Sequence, residues 1–100
     1  MAFDMYIGSQ HESIGDQDEY ILSMISGYES DYPQLARIKA NYYGDLKFNS
    51  VEANVLVHEL LKLNFTNKKL NTAMKLLILK LVSFFSLSVQ TEQEIICAGD

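Results

Sequence analysis

The sequence predicts a helix-dominated α+β domain over residues 1–100, with about four helices, a long buried C-terminal helix and a small sheet from the terminal strands. Three observations carry this. The stretch 67–87 (NKKLNTAMKLLILKLVSFFSL) with the serine that follows it places Leu70, Met74, Leu77, Leu81, Phe84 and Ser88 at alternating steps of four and three, the spacing of one helix face. Both ends of the chain carry short β-type runs, FDMYI and EIICA. Helix-start signals stand between them: Asp16 with Glu19, Pro33, and Asn49 with Glu52.

The elements follow in order. Phe3, Met5 and Ile7 alternate with Asp4 and Tyr6, as in a half-buried strand ending at Gly8, and residues 9–15 read as a polar loop. Asp16 and Glu19 form a possible capping box for a helix reaching Ser26, with Ile21, Met24 and Ile25 inward and Gly27 as the stop. Pro33 suits the first turn of a second helix, where its missing N–H costs nothing. There Leu35, Ile38 and Tyr42 face the core, Tyr43 points away, and Gly44 ends the helix. Residues 46–48 form a short extended segment. Asn49 and Glu52 cap a third helix over 51–63, with Ala53, Leu56, Val57, Leu60 and Leu61 on its inner face.

In the central helix Leu76, Ile78, Leu79, Val82 and Phe85 fill most of the remaining circumference, leaving a polar strip of Asn71, Thr72, Lys75, Ser83 and Ser86. Such a helix is a membrane span or a buried centre. Lys68 and Lys69 open it and Lys75 and Lys80 interrupt it, so a core helix is the expectation, with Thr66 or Asn67 as N-cap. A turn at 90–93 leads to a last strand at 94–98, which pairs with the first in a sheet of two or three strands.

The net charge of −5 is segregated. Residues 1–36 hold Asp4, Glu12, Asp16, Asp18, Glu19, Glu29 and Asp31 and no Lys or Arg, whereas 37–80 hold all eight basic residues against three acids. Nucleic acid is an improbable partner for such an N-terminal half, a membrane is not expected either, and a cationic protein is the fitting counterpart. A single cysteine, Cys97, forms no intramolecular disulfide, and the N-terminus lacks the features of a secretory signal. A cytoplasmic location is the expectation.

Catalytic signatures are incomplete. His58-Glu59 begins like a zinc-protease motif, but Lys62 stands where the second histidine belongs. Asp16 and Asp18 open like a calcium loop, yet Tyr20 and Ile21 occupy positions that need an oxygen ligand and a glycine. Cys97 lies in an apolar run, and His11 with Glu12 forms at most a weak acid/base pair without a nucleophile. Neither an enzyme nor a metal or other cofactor is expected. Tyr20, Tyr28, Tyr32 and Tyr43 instead lie in or just past the acidic stretch. Tyrosine brings contact area and a hydrogen-bonding tip at little entropic cost, and carboxylates add steering. The expected partner-binding face is therefore Asp16, Asp18, Glu19, Tyr28, Glu29, Asp31, Tyr32 and Tyr43.

The chain resembles the bacterial immunity proteins encoded beside polymorphic toxins, including those of contact-dependent growth inhibition. The resemblance lies in its acidic, hundred-residue character and in the succession FDMYIG, EYILSMI, FNSVEANVLVHELLKL and a long amphipathic helix ending in EIICAGD. The Tyr42-Tyr43 pair beside an acidic helix is also similar to immunity proteins of nuclease colicins, from which this chain differs in its terminal strands and its proline. The resemblance implies a cytosolic inhibitor of a cognate toxin's C-terminal domain, a basic nuclease being the usual kind. A small regulatory or adaptor domain using the same face is the alternative, and a hydrolase using His11 or His58 is a third class.

Overall fold

The computed structural model describes residues 2–67 and 69–99, so Met1, Lys68 and Asp100 lie outside the described residues. The chain opens with a hairpin of β1 (Ala2–Ile7) and β2 (Gln10–Gly15). A 3-10 turn at Asp16–Asp18 and a one-turn helix α1 (Tyr20–Ser23) follow. A second 3-10 turn, Glu29–Asp31, precedes α2 (Pro33–Ala40). Next come β3 (Asp45–Phe48), α3 (Ser50–Thr66), α4 (Thr72–Thr91) and β4 (Ile95–Gly99). The expected α+β class holds, with four α-helices and one antiparallel sheet among the described residues.

That sheet has four strands in the order β2-β1-β4-β3, larger than the two or three expected. The terminal strands do pair, from Phe3 opposite Gly99 to Tyr6 opposite Ile96. Phe3, Met5, Ile7, Ile14, Phe48, Ile95 and Cys97 are buried on the helix side. Tyr6, His11, Lys47, Ile96 and Ala98 stand exposed between those buried positions.

Residues 9–15 are mostly strand rather than loop. Ile7 pairs with Gln10, so Gly8 and Ser9 form a two-residue turn, and Gly8 takes the positive φ of +58° that such turns demand. Strand β2 reads as polar because it is an edge strand with Ile14 as its one deeply buried apolar side chain. A Gly-Ser pair after an alternating run was the available signal.

The helix expected over 16–26 is broken into the 3-10 turn and α1, and neither start has a side-chain cap. Without a cap to offset nucleation, so short a segment stays helical only where packing holds it. Ile21, Leu22 and Ile25 provide that packing. Met24, expected inward, is half-buried.

Local signals succeeded further on. Pro33 occupies the first turn of α2, and Leu35, Ile38 and Tyr42 are buried while Tyr43 is 60% exposed. Helix α2 stops at Ala40, however, short of the expected Gly44, so both tyrosines lie in the turn beyond it. Asn49 and Glu52 form the full capping box: the Asn49 side chain accepts from the Glu52 N–H, and the Glu52 carboxylate accepts from the Asn49 N–H. Helix α3 then outruns its expected end, so Asn67 is its C-cap and Asn71 is the N-cap of α4, accepting from the Met74 N–H at 2.9 Å.

Helix α4 lies against α3, with Leu77, Ile78, Leu81, Phe84, Phe85 and Ser88 buried. It is not buried all round, because Leu76 and Leu79 are each 60% exposed. Leu61 of α3, also expected inward, is exposed, and Val57 is half-buried. Among the described residues, α4 is the one helix long and apolar enough to cross a membrane by length and composition.

Candidate partner-binding face

The eight residues expected to form the binding face fall into two groups. Asp16, Asp18 and Glu19 belong to the segment that turns from β2 into α1. This segment passes beside Tyr42, which follows α2. The Tyr42 ring stacks on Phe3 with centroids 5.9 Å apart, and its hydroxyl donates to the Ile14 carbonyl at 2.6 Å. Burial, reinforced by the charges of Glu19, Asp16 and Asp18, pushes the Tyr42 hydroxyl up to about 12. A pinned tyrosine thus stands in the field of all three carboxylates.

Tyr43 meets Tyr42 edge-on, with centroids 5.1 Å apart, and projects outward. The turn that presents it is anchored by the last strand, where the Gly99 N–H donates to the Gly44 carbonyl at 2.8 Å. A hollow of about 390 Å³ runs between Glu19, Tyr20, Lys39, Tyr42 and Tyr43. Tyr20 is half-buried, and burial followed by the Asp18 charge raises its hydroxyl above the ordinary tyrosine range.

The second group surrounds the connection into α2. Tyr28 is 62% exposed and shares a second hollow, also about 390 Å³, with Asp31, Tyr32, Lys62 and Thr66. Tyr32, expected on the partner-binding face, is only 6% exposed. Its ring lies beneath the Lys62 ammonium, 5.1 Å from the centroid, so it is a wall of that hollow rather than an outward anchor. Glu29 accepts from the Gly27 N–H at 2.9 Å and from Lys39 Nζ at 3.3 Å. Its own backbone N–H and then Lys39 hold its carboxyl below the usual range.

The acids of residues 1–36 are therefore not unopposed once the chain folds. Lys39 reaches Glu29, Lys80 lies 3.4 Å from Glu12, and His11 Nε2 lies 2.9 Å from Asp4 Oδ1. Asp16, Asp18 and Glu19 all act on Tyr42, and the exposed Tyr43 shares a hollow with Glu19.

The incomplete catalytic motifs have other roles. The Glu59 carboxylate is buried and accepts from the N–H groups of Gln34 and Leu35 at 3.0 and 2.9 Å, capping α2 from outside that helix. His58 is exposed, its Nδ1 donating to the Asn54 carbonyl at 2.8 Å. His11 pairs with Asp4 rather than Glu12 and stacks on Tyr6, with centroids 4.8 Å apart. Burial pushes the Cys97 thiol up to about 12 against the opposing effect of Arg37, so it stays protonated at neutral pH. Among the described residues, no three His, Cys, Asp or Glu side chains are grouped to hold a metal ion.

No protein-family model matches the chain, and no curated protein and no solved structure is significantly similar to it.

Proposed function

We propose that the chain is a cytoplasmic immunity protein of a bacterial polymorphic-toxin system, binding the C-terminal domain of its cognate toxin, a basic nuclease, and neutralising it without catalysis. The observation that carries this reading is the gathering of Asp16, Asp18 and Glu19 around the Tyr42-Tyr43 turn, with Tyr43 exposed beside a hollow. A nuclease cleft is electropositive because it holds phosphates. Three carboxylates on one short segment present a comparable charge pattern that cannot be cleaved. Tyr43 supplies an aromatic anchor and Tyr28 a second one, with Glu29 and Asp31 on the flank.

The test is co-expression with the toxin domain encoded beside this chain, followed by binding kinetics. A stable complex that relieves toxicity is expected. Changing Asp16, Asp18 and Glu19 together to Asn, Asn and Gln should slow association and flatten its salt dependence, because such charges act through steering. Tyr43→Ala should instead speed dissociation, by about tenfold or more. Failure to form a complex with the neighbouring toxin domain, or a complex indifferent to both changes, overturns the reading.

A further inference from the structure

The α3–α4 hairpin leaves an apolar face uncovered. Phe65 is 85% exposed, Leu76 and Leu79 60% each, and Leu61 49%. Leu61 and Phe65 are one turn apart on the same side of α3, and Leu76 and Leu79 occupy one side of α4. Leu61 and Leu79 link the two sides across the helices, lining with Asn64, Lys75, Ile78 and Val82 a common hollow of about 220 Å³, with Phe65 one turn beyond Leu61 and Leu76 one turn before Leu79. On the other flank Leu76, Leu79 and Lys80 border a second hollow toward β2. A contiguous group of large apolar side chains at this exposure marks a contact surface.

Charge identifies what covers it. Residues 60–91 contain Lys62, Lys68, Lys69, Lys75 and Lys80 and no carboxylate, in a chain whose net charge is −5. Lys69, Lys75 and Lys80 are exposed on the hairpin. Lys80 lies near Glu12 and Lys62 lies over Tyr32, so among the described lysines of the hairpin Lys69 and Lys75 are the exposed ones not engaged in these two contacts. A second copy docked here would set lysines against lysines. Apolar side chains bordered by long-stemmed cations suit a surface that is apolar inside and anionic outside. Helix α4 is long and apolar enough to span by length and composition, but its other side is packed into the domain, which suits it to lying on a bilayer rather than crossing one.

We propose that the end of the α3–α4 hairpin docks on an anionic lipid surface, with Leu61, Phe65, Leu76 and Leu79 entering the acyl boundary and Lys69 and Lys75 meeting headgroup phosphates. The proposal is independent of the toxin-binding reading, which uses other residues. It is tested by co-sedimenting the full chain with vesicles of phosphatidylglycerol and phosphatidylcholine in equal parts, and with vesicles of phosphatidylcholine alone. Association with the anionic vesicles, released by high salt and weak on the neutral ones, is the expected result. Phe65→Ser, the pair Leu76→Gln with Leu79→Gln, and the pair Lys69→Glu with Lys75→Glu should each lower the bound fraction about tenfold. Far-UV circular dichroism checks that each stays folded, and Asp16→Asn with Asp18→Asn should leave binding unchanged. No association with anionic vesicles, equal association with neutral ones, or indifference to these substitutions overturns the proposal. So does a lipid-free dimer in sedimentation equilibrium that Leu76→Gln with Leu79→Gln dissociates, which would assign the patch to a second copy.

Discussion

The Glu59 carboxylate accepts a hydrogen bond from the Leu35 backbone N–H at 2.9 Å, across 24 residues of chain. Its other oxygen accepts from the Gln34 N–H at 3.0 Å, so one side chain of α3 satisfies the two N–H groups that directly follow Pro33 in the first turn of α2. Glutamate is suited to this place because it has two acceptors and a negative charge at the positive end of a helix. Burial opposes that charge and is the larger influence, raising the Glu59 carboxyl above its ordinary value.

Two outcomes follow for Glu59. Its change to alanine leaves two N–H groups without their acceptor and should cost about 2–3 kcal/mol in urea denaturation at neutral pH. The pH dependence has a definite sign. A carboxyl whose folded pKa is raised contributes stability that is fully present below its unfolded pKa and is lost as pH rises through the folded one. The stability of the native chain relative to Glu59→Gln should therefore decline from acid pH upward and then level off. A difference that grows with pH would contradict the assigned direction.

Gly99 is required by contact rather than by conformation. A Cβ there would lie 2.2 Å from the Tyr42 carbonyl oxygen, 2.6 Å from the Gly44 nitrogen and 2.7 Å from the Tyr43 carbonyl carbon, all backbone atoms. Gly99→Ala must push the Tyr42-Tyr43 turn away from β4 and should cost about 3 kcal/mol by thermal or urea denaturation. Gly44→Ala is the control. Its Cβ would find only the Asn41 carbonyl oxygen at 3.8 Å, and the cost should stay below about 1 kcal/mol.

The two sides of α4 should separate under one chemical change. Leu81 is fully buried, and Leu81→Ala should cost about 2–5 kcal/mol through lost transfer energy and the cavity left behind. Leu79 is largely exposed, and Leu79→Ala should cost less than about 1 kcal/mol. Equal losses at the two sites would mean that the outer side of α4 is packed in solution.

The Cys97 thiol, pushed up to about 12 by burial, should be almost inert to a thiol-disulfide reagent at pH 8 and react fully once urea unfolds the chain. Rapid native reaction would indicate that β4 opens readily from its place between β1 and β3.

Much of the architecture is written in short-range spacing. The alternation of Phe3, Met5 and Ile7, the Asn49–Glu52 box, Pro33 and the core-facing set Leu77, Leu81 and Phe84 depend on neighbours within a few residues. These patterns rest on pleat, helical pitch and cap geometry, which are local properties of the backbone, although the Asp16–Glu19 signal shows that packing can override them. The Gly8-Ser9 turn belongs with them, since a Gly-Ser pair after an alternating run is itself a local hairpin signal.

What tertiary structure decided involves partners far apart along the chain. Whether Glu59 is a ligand, a surface charge or a cap depends on where α2 begins, and Gly99 is constrained only because the turn at 42–44 lies against β4. Lys62 turns Tyr32 into the wall of a hollow, and Lys39 answers Glu29, neither of which charge segregation along the sequence reveals. Helix α4 makes the same point with its apolar positions. Periodicity places leucines around the helix, but only the finite area of the sheet and α3 determines that Leu77 and Leu81 are covered while Leu76 and Leu79 remain outside.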